Sequence, residues 1–388
     1  MEYKNWVAKT FFGLEQILEA ELKQLGAKQT EVLNRAVKFE ASLAECYEII
    51  PSLRTANAVI CELFEFNARN PEQLYKEIFA FNWPSILHKN GTFRVEAIVQ
   101  SEFFNHSKYV ALKCKDAVAD LFQKHFKARP NVSFENPDLV IHLHIFNEKV
   151  RVGLNANDIP LFKRGYKLET GIAPLNECLA AGILLEAGWP NFQELRDPMC
   201  GSGTFAIEAA LIARNVAPNK DRKWFGFMGW REFNRGDFNQ AIKNIIAKEN
   251  KNSKKIVASD IDSEVLGKAR SNARRAMQSD QIIFTEGSFF NRPRVSPGEN
   301  CLIVLNPPYN ERMQTEELEE LYTEIGNSLK KYYPGSKCHL ISSDIKATKS
   351  IGLKANSKSE KFNGGLKIQH LSYEMFEGDF KSFKKHKA

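Results

Sequence analysis

No apolar run in the sequence approaches the roughly 20 residues needed to cross a bilayer. The opening, MEYKNWVAKTFFGLEQ, lacks both the continuous apolar stretch and the small-residue cleavage site of a secretory signal. These absences predict a cytoplasmic protein with no membrane partner. Cysteine is sparse: the seven (Cys46, Cys61, Cys114, Cys178, Cys200, Cys301, Cys338) are odd in number, scattered and never in a CxxC pair. That pattern excludes a disulfide framework and a zinc ribbon, and predicts reduced thiols with no metal. Glycine and proline, 22 and 15 of 388 residues, are too few for a fibrous or low-complexity chain, and 43% hydrophobic residues are too many for a disordered one. The length instead accommodates two or three domains, each able to bury a core. Lys and Arg outnumber Asp and Glu by 54 to 47, a net charge of +7, with Lys381, Lys384, Lys385 and Lys387 crowded into the tail. A basic excess favours polyanionic partners, although a solvated surface produces the same count.

The apolar positions Leu14, Ile17, Leu18, Leu22 and Leu25 form one helical stripe, closed by Gly26 as a C-cap. Strand-like runs follow at 35–40 and 59–66. Asn70-Pro71 supplies an N-cap with proline in the first turn of a helix carrying Leu74 and Ile78. A strand at 93–100, an amphipathic helix through Val110, Cys114, Ala117, Val118 and Leu121, and an alternating strand at 139–146 complete a mixed α and β region of about 155 residues. It contains no glycine-rich nucleotide loop. His142 and His144 alternate onto one face of the last strand, but without further ligands they make no metal site. From 155 to 171 the pattern breaks around Pro160, Gly165 and Gly171, which predicts a domain boundary. Beyond it, strands at 194–197, 255–260, 281–285, 301–306 and 337–343 alternate with helical pattern, which predicts a doubly wound parallel α/β sheet. Asn363-Gly364-Gly365 between two strand-like runs adds a C-terminal antiparallel hairpin.

The most informative stretch is DPMCGSGTFAIEAAL, 197–211, where a strand ends, two glycines turn the chain and an apolar helix begins. Glycines there let backbone approach a ligand at the mouth of a parallel sheet. A dinucleotide fingerprint is disfavoured, because the acid ending the next strand, Asp260, lies 57 residues past Gly203 rather than about 20. The second stretch is Asn306-Pro307-Pro308-Tyr309, directly after the apolar CLIVL. Two prolines fix the backbone, so the Asn306 side chain and the neighbouring carbonyls have set directions. An Asn oxygen and a Pro carbonyl are two acceptors suited to the two hydrogens of an exocyclic amino group, and Tyr309 offers a face for a flat base. Cys200 reads as a small buried filler rather than a nucleophile. KWFGFMGW, 223–230, reads as an insertion packing on the sheet, with a base-contacting lip as the other reading.

On these motifs, the segment from Pro174 onward resembles a class I S-adenosylmethionine-dependent methyltransferase of the amino-group-methylating type. The family pattern is matched at 197–204, 259–262, 306–309 and in the PLNE lead-in at 174–177. The N-terminal part resembles the ferredoxin-like plus THUMP module of RNA methyltransferases, through GLEQILEAELKQLGA, KDAVADLF, ARPNVSF and the junction LFKRGYK. The whole is most similar to bacterial large-subunit rRNA guanine-N2 methyltransferases. The resemblance implies a ferredoxin-like subdomain at 1–50, a THUMP domain at 51–158, a linker at 159–170 and a Rossmann-like methyltransferase domain at 171–388. It further implies catalysis by Asn306, Pro307 and Tyr309. Cofactor contacts are implied at Asn176, Asp197, Pro198, Cys200, Gly201, Ser202, Gly203, Thr204, Asp260, Ile261, Ser288, Phe289 and Asn306. RNA phosphates would be held by Lys163, Arg164, Tyr166 and Lys167. The chain departs from the family in having Asn310 where NPPYGER has glycine, and Ser288 where an Asp commonly accepts from the adenine amine. A tRNA guanine is the alternative substrate, and a non-catalytic RNA-binding assembly factor the alternative function. A chain beginning near Thr170 is expected to keep cofactor binding and lose RNA affinity.

Overall fold

The computed structural model describes residues 3–168, 175–250, 254–291, 300–308 and 315–376. They form two compact units, and both are built from more than one stretch of chain. The first comprises Met1–Thr10, Leu18–Leu161 and Asn219–Ala247; the second comprises Phe11–Ile17, Phe162–Pro218 and Lys248–Ala388.

In the first unit the elements run β1 (Asn5–Thr10), α1 (Glu15–Gln24, from Leu18 onward), β2 (Lys28–Leu33), β3 (Ala36–Glu40), α2 (Leu43–Ser52), β4 (Ala56–Asn67), α3 (Pro71–Ala80), β5 (Thr92–Gln100), α4 (Ser107–Phe126), β6 (Asn131–Val132), β7 (Leu139–Phe146) and β8 (Lys149–Asn155). The strands form one sheet in the order β2-β3-β1-β4-β8-β7-β5-β6, so the ferredoxin-like and THUMP regions share it. Residue 50, where the sequence suggests a subdomain break, lies inside α2. That helix starts at a capping box: Ser42 Oγ accepts from the Glu45 N–H at 3.2 Å while the Ser42 N–H donates to Glu45 Oε2 at 2.6 Å. His142, on β7, has Nε2 2.6 Å from Lys9 Nζ. Burial and the neighbouring lysine push this histidine down to about 3, and burial pushes Lys9 down to about 8.

The stretch 219–247 carries KWFGFMGW into this first unit. Phe225, Phe227, Met228 and Trp230 join the core that contains Trp6, Phe39 and Tyr47. Phe225 and Phe227 stack at 5.0 Å, and Trp230 stacks on Trp6 at 6.0 Å. The packing reading of this segment therefore holds, but the sheet it packs on is that of the N-terminal unit. The aromatic-dense sequence follows from that position, since each ring buries a large apolar area.

In the second unit, α5 (Glu177–Glu186), β9 (Glu194–Asp197), α6 (Thr204–Ala213), β10 (Lys255–Asp260), α8 (Ser263–Arg275), β11 (Ile282–Glu286), β12 (Cys301–Leu305), α9 (Thr315–Tyr332), β13 (Lys337–Ser342), β14 (Ser357–Asn363) and β15 (Leu366–Glu374) build the doubly wound fold; α7 (Arg235–Ala247) belongs to the first unit. The sheet order is β11-β10-β9-β12-β13-β15-β14, with β11 to β13 parallel and the β14–β15 hairpin antiparallel. Strand order reverses between β9 and β12, which makes the carboxyl ends of β9, β10 and β12 the switch point where such sheets bind ligands. The N-terminal stretch 11–17 inserts here: Leu14 is fully buried, and a Cβ built on Gly182 of α5 would come within 2.6 Å of its side chain. Lys361 Nζ donates to the Gly13 carbonyl at 2.9 Å and pairs with Glu186 at 2.8 Å. No helix among the described residues is long and apolar enough to cross a membrane.

Candidate functional site

Three acceptor side chains stand at the carboxyl ends of adjacent strands: Asp197 ending β9, Asp260 ending β10 and Asn306 directly after β12. Asp197 is 1% exposed, and neither of its carboxylate oxygens has a hydrogen-bond partner among the described residues. Burial first, and then the charge of Asp260, push its pKa up to about 8; only the backbone N–H of Ala206, in the first turn of α6, acts to lower it. Asn306 Oδ1 is likewise buried and unpartnered. Buried acceptors without donors cost free energy, of the order of 1–3 kcal/mol each, and such atoms at a strand mouth mark a place that a ligand's donors satisfy.

The loop between β9 and α6 is held by its own backbone and by β10. Cys200 N–H donates to the Ser259 carbonyl at 3.0 Å, Gly203 N–H to the Cys200 carbonyl at 2.8 Å, and Gly201 N–H to Asp260 Oδ2 at 3.0 Å. Gly201 has φ +53° and Gly203 φ +82°, a region that side chains with a Cβ rarely adopt. A Cβ on Gly203 would press against Ala269 at 3.1 Å, whereas one on Gly201 would meet nothing within 4 Å. The open side of the loop is thus at Gly201, beside Asp260. The other Asp260 oxygen accepts from the Asp262 N–H at 3.1 Å, and a carboxylate keeps further lone pairs for two hydroxyls. Asp262 caps α8 instead. Ile261, 74% exposed, leaves an apolar side chain uncovered next to that acid.

The remaining expected cofactor residues divide. Pro198 and Thr204 are buried at the two ends of the loop, Cys200 is buried in the core of this unit, and Ser202 gives its carbonyl to Asn272. Asn176 spends its Oδ1 on capping α5, accepting from Cys178 and Leu179 at 2.9 and 3.3 Å, so only its amide nitrogen is left for a ligand. Ser288 Oγ accepts from the Phe290 N–H at 3.2 Å and retains one lone pair. The Phe289 ring is buried and stacks on Tyr333 at 5.6 Å. Pro307 is buried and Pro308 exposed. Tyr309, like Asn310, lies outside the described residues.

The junction residues are corrected by the structure. Lys163 is exposed, but the Arg164 side chain is 1% exposed, with Nη1 3.1 Å from Oε2 of Glu208, which is itself fully buried. Tyr166 Oη donates to Glu208 Oε1 at 2.7 Å. The Lys167 side chain is 7% exposed, bonds the Leu175 carbonyl and lies 3.9 Å from Glu177. A basic run is read from sequence as solvent-facing; here a glutamate on α6 and another on α5 draw three of the four residues inward, away from any phosphate. Sequence reasoning also passed over Asn272, which bonds the loop at the Ser202 carbonyl, and Arg275, which ties Asn272 to the Tyr166 carbonyl.

The donor set fits S-adenosylmethionine. The positive charge of that molecule would be met by the buried carboxylate of Asp197, its ribose diol by Asp260, and its adenine by the uncovered Ile261. Comparison with known proteins gives the family. The chain matches the RlmL ferredoxin-like domain over residues 5–60, the THUMP domain over 68–155 and the RMKL-like methyltransferase domain over 164–372. It is 34% identical to the ribosomal RNA large subunit methyltransferase K/L of Syntrophotalea carbinolica, over 95% of this chain and 53% of that one, and so spans about half the length of the curated relatives it matches. Among solved structures, SMU.472, a putative methyltransferase complexed with SAH, superimposes with a TM-score of 0.87 at 26% identity, covering 98% of this chain and all of that one. A possible methylase from Clostridium difficile 630 gives 0.88 at 27%, with the same coverage. With the match at 164–372 covering more than half of its length, this chain belongs to the family of the RMKL-like methyltransferase domain, carried behind a ferredoxin-like and THUMP module.

Proposed function

We propose that the chain is an S-adenosylmethionine-dependent RNA methyltransferase that acts in the cytoplasm on the exocyclic N2 of a guanine in large-subunit rRNA. The observation that carries the reading is the buried Asn306 Oδ1 at the end of β12, unpartnered among the described residues and followed by the fixed Pro307-Pro308 backbone. When bound, the cofactor supplies an electrophilic methyl group. The chain supplies orientation: Asn306 Oδ1 accepts one amine hydrogen and the Pro307 carbonyl the other, which pulls the delocalised N2 toward tetrahedral geometry and exposes its lone pair. No strong base is needed before attack, so placement and electrostatics account for the catalysis. The guanine must leave its stack, at a cost of a few kcal/mol that stacking on Tyr309 offsets in part. The names of the curated relatives support rRNA as the substrate, and the THUMP match supports RNA binding by the first unit. Nucleoside mass mapping of rRNA and tRNA from a strain lacking the gene tests the reading. One N2-methylguanosine missing from large-subunit rRNA is expected. Its loss from tRNA, or a complete rRNA profile, overturns the substrate assignment.

A further inference from the structure

The loop at 200–203 has two glycines in the left-handed region, at positions where the backbone has little conformational restraint of its own. Its own hydrogen bonds reach Ser259, Cys200 and Asp260, and none of these holds Ser202. The Ser202 carbonyl accepts instead from Asn272 Nδ2 at 3.0 Å. Asn272 is fully buried on α8, one turn beyond the Ala269 that lies against Gly203. Its other amide atom, Oδ1, accepts from Arg275 Nη2 at 2.6 Å, and Arg275 Nε donates to the Tyr166 backbone carbonyl at 2.9 Å. Tyr166 is in turn fixed through its hydroxyl on Glu208 of α6, the helix that the loop begins. A closed circuit of polar contacts therefore runs from the junction segment through α8 to the loop and back through α6.

We infer that Asn272, oriented by Arg275 and the Tyr166 carbonyl, is a positioning residue for cofactor binding: it holds Ser202 so that the open side of Gly201 and the carboxylate of Asp260 keep their relative geometry. The inference rests on the cofactor reading above. Asn272 itself does not touch the cofactor. The amide serves both partners at once, Nδ2 donating to the Ser202 carbonyl and Oδ1 accepting from the guanidinium.

The test uses the full chain, with S-adenosylhomocysteine as the probe in calorimetry and a thermal scan on each variant. Asn272→Asp keeps an acceptor for Arg275 and removes the donor to Ser202. It is expected to melt within about 2 °C of the parent and to bind the probe about 5–15-fold more weakly, the loss of one hydrogen bond, with a higher KM for the methyl donor and kcat within about two-fold. Asn272→Leu removes both contacts and is expected to weaken binding as much while also lowering the melting temperature. A merely structural role predicts weaker binding only in the variant that melts early, so parental affinity in a well-folded Asn272→Asp overturns the inference. Should that variant not fold, Arg275→Lys decides: it keeps the charge and loses the fork, and a two- to four-fold weakening is expected against none. A parent chain that fails to bind the probe refutes the cofactor reading itself and is told apart from these outcomes by its own titration.

Discussion

Replacing Arg164 with Ala separates two accounts of the junction. In the structure Glu208 is fully enclosed, and its carboxylate has Arg164 Nη1 at 3.1 Å and the Tyr166 hydroxyl at 2.7 Å. The glutamate keeps the hydroxyl in the variant and loses the only cation that these contacts give it. Breaking a buried ion pair from one side costs about 3–5 kcal/mol. At about 2–4 °C per kcal/mol for a unit of this size, the melting temperature should fall by about 6–20 °C. The double replacement Arg164→Met with Glu208→Leu removes both charges and should recover most of the loss, because well-packed apolar pairs match or exceed buried ion pairs. Thermal and urea unfolding of the parent and these two variants provide the measurement, alongside RNA binding at about 50 and 200 mM salt. A phosphate-binding Arg164 makes the opposite forecast: unchanged unfolding, weaker RNA binding and a salt slope shallower by about one. Parental stability in Arg164→Ala would refute the burial argument.

Much of the catalytic fold was legible because its signals are local. The glycine-rich turn, the acid ending β10, the NPP break after β12 and the Asn-Gly-Gly hairpin each announce themselves within a few residues, and β9 and β10 occupy the spans that periodicity assigns to them. Asn70 and Pro71 likewise cap α3 as their chemistry requires. What escaped depends on partners distant in sequence. Arg164 looks like any surface cation until Glu208, 44 residues on, is placed beside it. The stripe beginning at Leu14 reads as one helix face, yet Leu14 packs in the second unit while Leu18 and Leu22 pack in the first. β8 and α2 were legible but unread: KVRVGLN alternates, and Ser42 with Glu45 is a capping box. The destination of KWFGFMGW depends on a long-range choice of core, which periodicity does not encode.

Three further outcomes are expected. Asp197, protonated in the folded chain below about 8 but ionised in the unfolded chain above its ordinary 3.8, contributes stability present at low pH and lost as pH climbs through about 8; S-adenosylhomocysteine affinity should rise over the same range, and Asp197→Asn should stabilise the ligand-free chain at pH 8.5, weaken binding and flatten its pH dependence in calorimetry. Asp260→Ala should weaken the probe by about 1.5–3 kcal/mol through loss of charge-assisted acceptors, and unchanged affinity would move the ribose contact elsewhere. A chain beginning at residue 170 lacks Leu14, Arg164 and Tyr166, so it should fail to unfold cooperatively rather than retain cofactor binding as the linker's position in sequence suggests; a sharp melting transition shifted by the probe would contradict this.

The central claim, that Asn306 orients an exocyclic amine for attack, is tested most directly by methyl transfer from labelled S-adenosylmethionine to ribosome-derived large-subunit RNA, with the modified nucleoside identified by mass and the parent compared with Asn306→Ala. Because the amine contacts are made chiefly in the transition state, the loss should appear in turnover rather than binding. The parent should yield N2-methylguanosine, and Asn306→Ala none above background while binding S-adenosylhomocysteine and RNA within a few-fold of the parent. Near-parental transfer by Asn306→Ala, or a methylated nucleoside other than guanosine, would contradict the account.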